Sequence, residues 1–329
     1  MSDDLRVGYL DLINRIRGQY SPKPTSILVE HLYHFTSTQG FIGIMLPEGR
    51  PSPSKYPPPR QYLRACLFSG FKDAHEVSYG ARLIREELSK FVADNEQELG
   101  AIEGGVGLPG DSLLEWIRLL ARTFDPLGYG LTFFVTCFSE KRDHHGQWQE
   151  YADEGQGFSL QFSASDLAEN MTVDDDPHGG KVTLAKVQYY EDEQRALIRS
   201  YLDGCLSIWR NDGIVVESHD LASQLKEFCI VFKDHRYSDE SEWRLFTDVN
   251  LRSFESSFEA FSCSSGLSIY RKVFARTGNP ERPNLPITEV LPGPENRSLH
   301  MNGVFALLLK GSVYFQDVII AKPSSLGTL

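Results

Sequence analysis

Leu131-Thr132-Phe133-Phe134-Val135-Thr136-Cys137-Phe138 is an unbroken apolar and β-branched run, the pattern of a strand buried on both faces. It predicts the middle of a sheet. Upstream, Leu32-Tyr33-His34-Phe35-Thr36-Ser37 reads as a short strand, and Gly40 to Met45 starts a helix that Ser37 or Thr38 would cap. Downstream, Gly157 to Phe162, Lys181 to Tyr189, Glu242 to Phe246, Ile287 to Val290 and Val313 to Ile320 read as further strands. Helical periodicity covers residues 3–20, 75–98, 112–123, 192–210 and 221–232, and Met301 to Leu309 is helix-like. Strands and helices interleave without a βαβ period, which predicts an α+β fold with a mixed, mostly antiparallel sheet and peripheral helices. The expected organisation is an amphipathic N-terminal helix within 1–25, packed on one domain spanning 26–329, with a proline-rich loop at 47–59.

The chain has 329 residues, 41% of them hydrophobic. No run approaches the ~18 apolar residues of a membrane helix, and the acidic, amphipathic start lacks the apolar core of a secretory signal, so a cytoplasmic protein with no membrane partner is expected. A formal charge of −12 disfavours broad nucleic-acid binding, which depends on cationic surface releasing counterions. The five cysteines, Cys66, Cys137, Cys205, Cys229 and Cys263, lack a CxxC pair and read as reduced packing residues. Glycine-rich phosphate loops, a nucleophile elbow and paired-histidine metal spacings are missing, so no metal site is expected.

Three clusters remain. The first is His34 with Thr36 and Ser37. The second is Ser139-Glu140 with Trp148 and Tyr151, following the buried run. In the third, Lys233 precedes Glu240, Glu242 and Arg244 at the head of a later strand. Residues two apart on an extended chain share a face, so Glu240 and Glu242 would act on one ligand or repel each other until one binds a cation. The alternative reading of each is structural: a packed histidine, a core-edge aromatic pair, an exposed ion pair of Glu242 with Arg244 or Lys233, and helix capping by Asp73 and Glu76.

The stretches LYHFTS (32–37), KDAHEVSYG (72–80), FVTCFSE (134–140), QWQEYAD (147–153), GFSLQF (157–162), FKDHRYSDESEWRLF (232–246) and ITEVLPGP (287–294) together resemble the bacterial domain-of-unknown-function family 2971. Lys72-Asp73 stands where that family has Asn-Asp. The order His, aromatic, Glu further resembles NAD-dependent ADP-ribosyltransferases. That resemblance implies an ADP-ribosyltransferase-like architecture with NAD as substrate, in a toxin or antiphage effector acting on a protein, nucleic acid or small molecule. It implies His34, Tyr151 and Glu242 as the catalytic set: His34 donates to the NAD ribose, Tyr151 or Trp148 stacks on nicotinamide, and Glu242 holds the ribose 2′-hydroxyl and stabilises the oxocarbenium-like transition state. Thr36, Ser37, Ser139, Trp148, Glu240 and Arg244 are the implied dinucleotide-binding residues, with Arg244 or Arg236 on the pyrophosphate. If Glu242 is catalytic, Glu242→Gln is expected to abolish turnover with little change in melting temperature. Two rivals stand beside this reading. One is a noncatalytic nucleotide-sensing or interaction module of a bacterial defence or stress system. The other is a metal-dependent hydrolase using Asp73, Glu76, His34 and Glu242.

Overall fold

A computed structural model describes residues 3–45, 61–68, 74–102, 112–126, 131–173, 182–212, 218–250, 259–263, 266–276, 285–296 and 318–321. In chain order the elements are α1 (Asp3–Arg17), β1 (His31–Thr36), α2 (Thr38–Met45), β2 (Leu63–Leu67), α3 (Ala74–Asp94), α4 (Glu96–Ala101), α5 (Leu113–Thr123), β3 (Leu131–Ser139), α6 (His145–Tyr151), β4 (Phe158–Ser163), α7 (Ala164–Glu169), β5 (Met171–Val173), β6 (Val182–Lys186), α8 (Glu191–Asp212), α9 (Ser218–Val231), β7 (Glu242–Asn250), β8 (Glu259–Cys263), β9 (Gly266–Ala275), β10 (Ile287–Pro292) and β11 (Ile319–Ile320). The fold is α+β. Among the described residues the strands join in one mixed sheet, antiparallel at every strand pair except β10 with β11.

The apolar run forms β3, the strand on which the sheet turns. One edge of β3 pairs along its whole length with β7, from Leu131↔Asn250 to Ser139↔Glu242. The other edge is contested. β1 approaches it at Tyr33↔Ser139, and β2 pairs at Cys66↔Val135 and Leu67↔Phe134. Continued along β3, both registers would set residues 34–36 of β1 and 63–65 of β2 opposite the same stretch, 136–138. Two strands cannot occupy one row of hydrogen-bonding groups, so they part. β1 leads outward to β4, β10 and β11, and β2 leads to β9, with β5 and β8 beyond. β3 is therefore the stem of a fork with β1 and β2 as its arms.

One face of the sheet carries Phe133, Val135 and Phe246 against α1, α3, α5, α8 and α9, through residues such as Ile16, Leu88, Ile117, Tyr201 and Phe228. Side chains such as Ile16, with no accessible surface, contribute roughly 1.5–3 kcal/mol each. The opposite face carries Phe134, Phe138, Trp243 and Leu245 against Phe41 and Ile44 of α2 and Leu167 of α7. The helices are less peripheral than expected, since α9 is buried on most sides, including Lys226 and Glu227. Its Glu227 is gripped by Arg17 and by the Tyr20 hydroxyl, which ties α1 to the body. Ser37 caps α2 by accepting from the Gly40 N–H at 3.0 Å, as its sequence position predicts. The expected helix over 75–98 is interrupted at Asn95 between α3 and α4. The proline-rich loop, Asp73, the helix at 301–309 and most of the last predicted strand lie outside the described residues.

Candidate functional site

Where β3 ends and β7 begins, five charged side chains from four segments meet. Alternation along β7 sends Trp243 and Leu245 to one face of the sheet and Glu242 and Arg244 to the other, beneath α3 and α9. Arg244 grips Glu242 through Nε and Nη2, both at 2.9 Å, and also donates to Glu76 of α3 and to the Ile230 carbonyl of α9. Lys233, just past α9, donates to Glu240 at 2.5 Å and to Glu242 at 3.1 Å. Three carboxylates thus share two cations, all buried except Glu240. An uncompensated ion here would cost several kcal/mol, so the geometry requires every partner.

Charge states follow. Burial alone would raise the Glu242 pKa, but Arg244 and Lys233 outweigh it and hold it at about 2. Burial likewise opposes the charge on Lys233, and Glu242 and Glu76 override it, keeping the ammonium above the ordinary lysine range. Glu240 moves the other way: burial, with repulsion from Glu242, raises it despite Lys233. Among the three acids, Glu240 is the one on which the surplus negative charge weighs.

Glu240 closes a 3-10 turn over His235–Glu240, and Ser241 follows with φ of +47°. The two glutamates are therefore not on a continuous extended chain, and it is Lys233 that brings their carboxylates together. The Ser139 hydroxyl donates to the Glu240 carbonyl at 2.7 Å, fixing this turn to the end of β3. Across from it lies α6, whose Tyr151 is 47% exposed. Burial of its hydroxyl end, together with Glu240, pushes the phenol pKa up, so it stays protonated. After α6, Asp153 and Glu154 also take positive φ, 48° and 53°. Left-handed backbone at non-glycine residues costs energy and persists where surrounding structure enforces it; here it lies on both segments that carry the site. A surface tie crosses between them: His144 Nε2 lies 2.6 Å from Asp239, which also accepts from Lys141.

His34 sits at the fork. Its Nδ1 lies 2.9 Å from the Cys137 carbonyl, a group left without a strand partner where β1 and β2 part. A carbonyl can only accept, so Nδ1 carries the hydrogen. Burial lowers the His34 pKa, only partly opposed by that bond, so the ring is neutral and Nε2 is an acceptor. This corrects the donor role expected for it. By alternation His34 lies with Leu32, opposite Leu160 and against the Phe138 ring, whereas Glu242 projects from the other face of the sheet. Cys137 stands between them: its carbonyl takes His34, and its thiol has a pKa raised by burial and then by the charge of Glu242.

The remaining expected residues fall out as follows. Tyr151, Glu240 and Glu242 come together. Trp148 has no accessible surface; its indole N–H donates to Asp143 at 2.6 Å and its ring meets Phe35 edge-on, which leaves no free face for stacking. Ser37 is committed to its cap, and Thr36 is buried. Arg244 is saturated by carboxylates and buried to 1% exposure, so it has no donor to offer a pyrophosphate. Arg236 pairs with Asp234 at the surface. Glu76, expected as a cap, is an ion partner of Arg244. Sequence reasoning grouped Lys233 with Glu240, Glu242 and Arg244 but gave it no role in the site, and read Cys137 as a packing residue. Lys233 carried one signal: a cation directly following the apolar run Cys229 to Phe232.

Residues 147–245 match a family model. Its description is "Protein of unknown function (DUF2971)". The DUF2971 match runs from α6 to β7 and so contains Tyr151, Lys233, Glu240, Glu242 and Arg244, while His34 and the fork arms lie outside it. No curated protein and no solved structure matched the chain.

Proposed function

We propose that the protein binds NAD at the junction of β3, α6 and β7 and transfers its ADP-ribose, in the manner of an ADP-ribosyltransferase-like effector. The observation that carries this reading is the half-exposed Tyr151 ring lying beside the Glu240–Glu242 pair: an aromatic face for nicotinamide and carboxylates for the sugar at one opening. Breaking the N-glycosidic bond builds positive charge on the ribose, and fixed carboxylates beside it lower the barrier because they need no reorganisation. Glu242, ionised and held by Arg244 and Lys233, supplies the field, and the more open Glu240 faces the sugar.

A second reading has its own observation. Both oxygens of Glu242 are engaged by cations, which suits a pocket that senses a nucleotide without turning it over. Incubation with NAD separates the two. Released nicotinamide, lost in Tyr151→Ala and reduced at least tenfold in Glu240→Gln, supports transfer. Binding without release supports the sensor, and neither binding nor release refutes both.

A further inference from the structure

Arg64 is held differently from the arginines that pair with acids. Arg17, Arg142, Arg195, Arg210 and Arg244 each grip a carboxylate. The guanidinium of Arg64, on the β2 arm of the fork, is propped on two ring faces instead, with its carbon 4.9 Å from the Phe261 centroid and 5.1 Å from that of Tyr270. Among the described residues it makes no hydrogen bond. The nearby acid Glu259 spends its oxygens on Lys272 and on the Tyr270 hydroxyl, and so acts on Arg64 only through space.

The location is specific. The Arg64 backbone carbonyl accepts from the Thr136 hydroxyl at 3.1 Å, next to the residue whose carbonyl takes His34. Arg64 and His34 therefore flank the same stretch of β3 from opposite arms, with Arg64 projecting from the Glu242 face of the sheet and His34 from the face that carries Leu63 and Ala65. The guanidinium reaches toward α2, which hangs from the β1 arm: a methyl at Gly43 would lie 3.1 Å from its Nη2. The two rings stand at 71° to each other, so they brace the guanidinium from two sides by cation–π attraction without consuming its N–H donors. A planar fork of donors with no bonded carboxylate matches a phosphoryl group, which accepts two parallel N–H bonds.

We propose that Arg64 is the anchor for the phosphate-bearing part of the ligand, seated between the arms of the fork. This deepens the nucleotide reading and rests on it for the identity of the ligand, and it gives to Arg64 the pyrophosphate contact that Arg244 cannot make. The test is calorimetric titration of the full chain with inorganic pyrophosphate, and separately with NAD. Pyrophosphate is expected to bind the wild type, at least tenfold more weakly to Arg64→Gln, and with intermediate affinity to Arg64→Lys, which restores a point charge without the planar fork. Gly43→Ala crowds the guanidinium without deleting it and is expected to weaken binding several-fold, which keeps the test open should Arg64→Gln fail to fold. Arg142→Gln, far along the surface, should bind as the wild type does. Wild-type protein that ignores pyrophosphate, or an Arg64→Gln that folds and binds it unchanged, overturns the proposal. The two readings fail separately. Arg64-dependent pyrophosphate binding without nicotinamide release leaves the anchor standing and removes the transferase; nicotinamide release with an unaltered KM in Arg64→Gln does the reverse.

Discussion

Glu242→Gln tests the buried charge cluster directly, because the substitution preserves shape and removes only the charge. The carboxyl falls from an ordinary 4.5 to about 2 on folding, and at about 1.4 kcal/mol per pKa unit that difference amounts to about 3 kcal/mol of stability near neutral pH. The sign is fixed by the direction of the shift. A lowered folded-state pKa gives stability that is fully present above the unfolded value and is lost as pH falls through the folded one. At pH 3 the same relation leaves less than half of that. Glutamine at 242 gains nothing from either condition, so the gap between wild type and variant should be about 3 kcal/mol at pH 7 and less than half of that at pH 3. Urea denaturation at the two pH values, with unchanged m-values, measures it. A gap that is absent at pH 7, or equal at both, would mean that Glu242 is not held as a charged group between Arg244 and Lys233. The expectation of an unchanged melting temperature in this variant was tied to a catalytic Glu242, and its burial between Arg244 and Lys233 replaces it.

Lys233→Met leaves Glu240 and Glu242 without their shared cation and should cost about 3–5 kcal/mol in chemical denaturation, with Lys233→Arg recovering part of the loss. Gly157→Ala should destabilise by about 1–3 kcal/mol or more, because the added methyl would fall 2.2 Å from the Thr36 carbonyl oxygen and 3.0 Å from the Ala152 backbone; a melting temperature within a degree of wild type would contradict this. Trp148→Ala should cost about 3–5 kcal/mol, read by thermal melting, whereas a free stacking platform would lose ligand affinity with stability intact. His144→Ala breaks a surface tie to Asp239 and the long N-cap bond from the Gln147 N–H to Nδ1 at the start of α6, and should cost about 0.5–2 kcal/mol.

The parts of the fold that were legible are those whose local pattern matches their surroundings. Leu131 to Phe138 reads as a doubly buried strand and from Phe133 onward is one, and the stripe Tyr9, Leu12, Ile13 and Ile16 announces the face of α1 that packs on the body. β2 and β9 were missed for a physical reason. Leu63-Arg64-Ala65-Cys66-Leu67 and the stretch around Arg271-Lys272 carry cations in mid-strand, and what makes them strands is their antiparallel pairing with each other, a non-local contact that no window reveals. Elements as short as α6 and α7 leave too few residues for a period. In the site, residue types signalled chemistry but not exposure: Glu242 and Trp148 were read as open, whereas α3 and α9 cover the first and Phe35 of β1 with Leu291 of β10 cover the second. The fork itself follows from two registers competing for residues 136–138, which appears only once both partners of β3 are known.

Since a single strand carries both arms, spreading them apart would require bending β3, and its unbroken nine-residue ladder to β7 stiffens it against that. The angle between the arms is thus set by β3 before any guest arrives, so accommodation falls to side chains, with little hinge motion of the framework. A guest of the right span meets little strain on arrival, and a wider one is turned away by geometry.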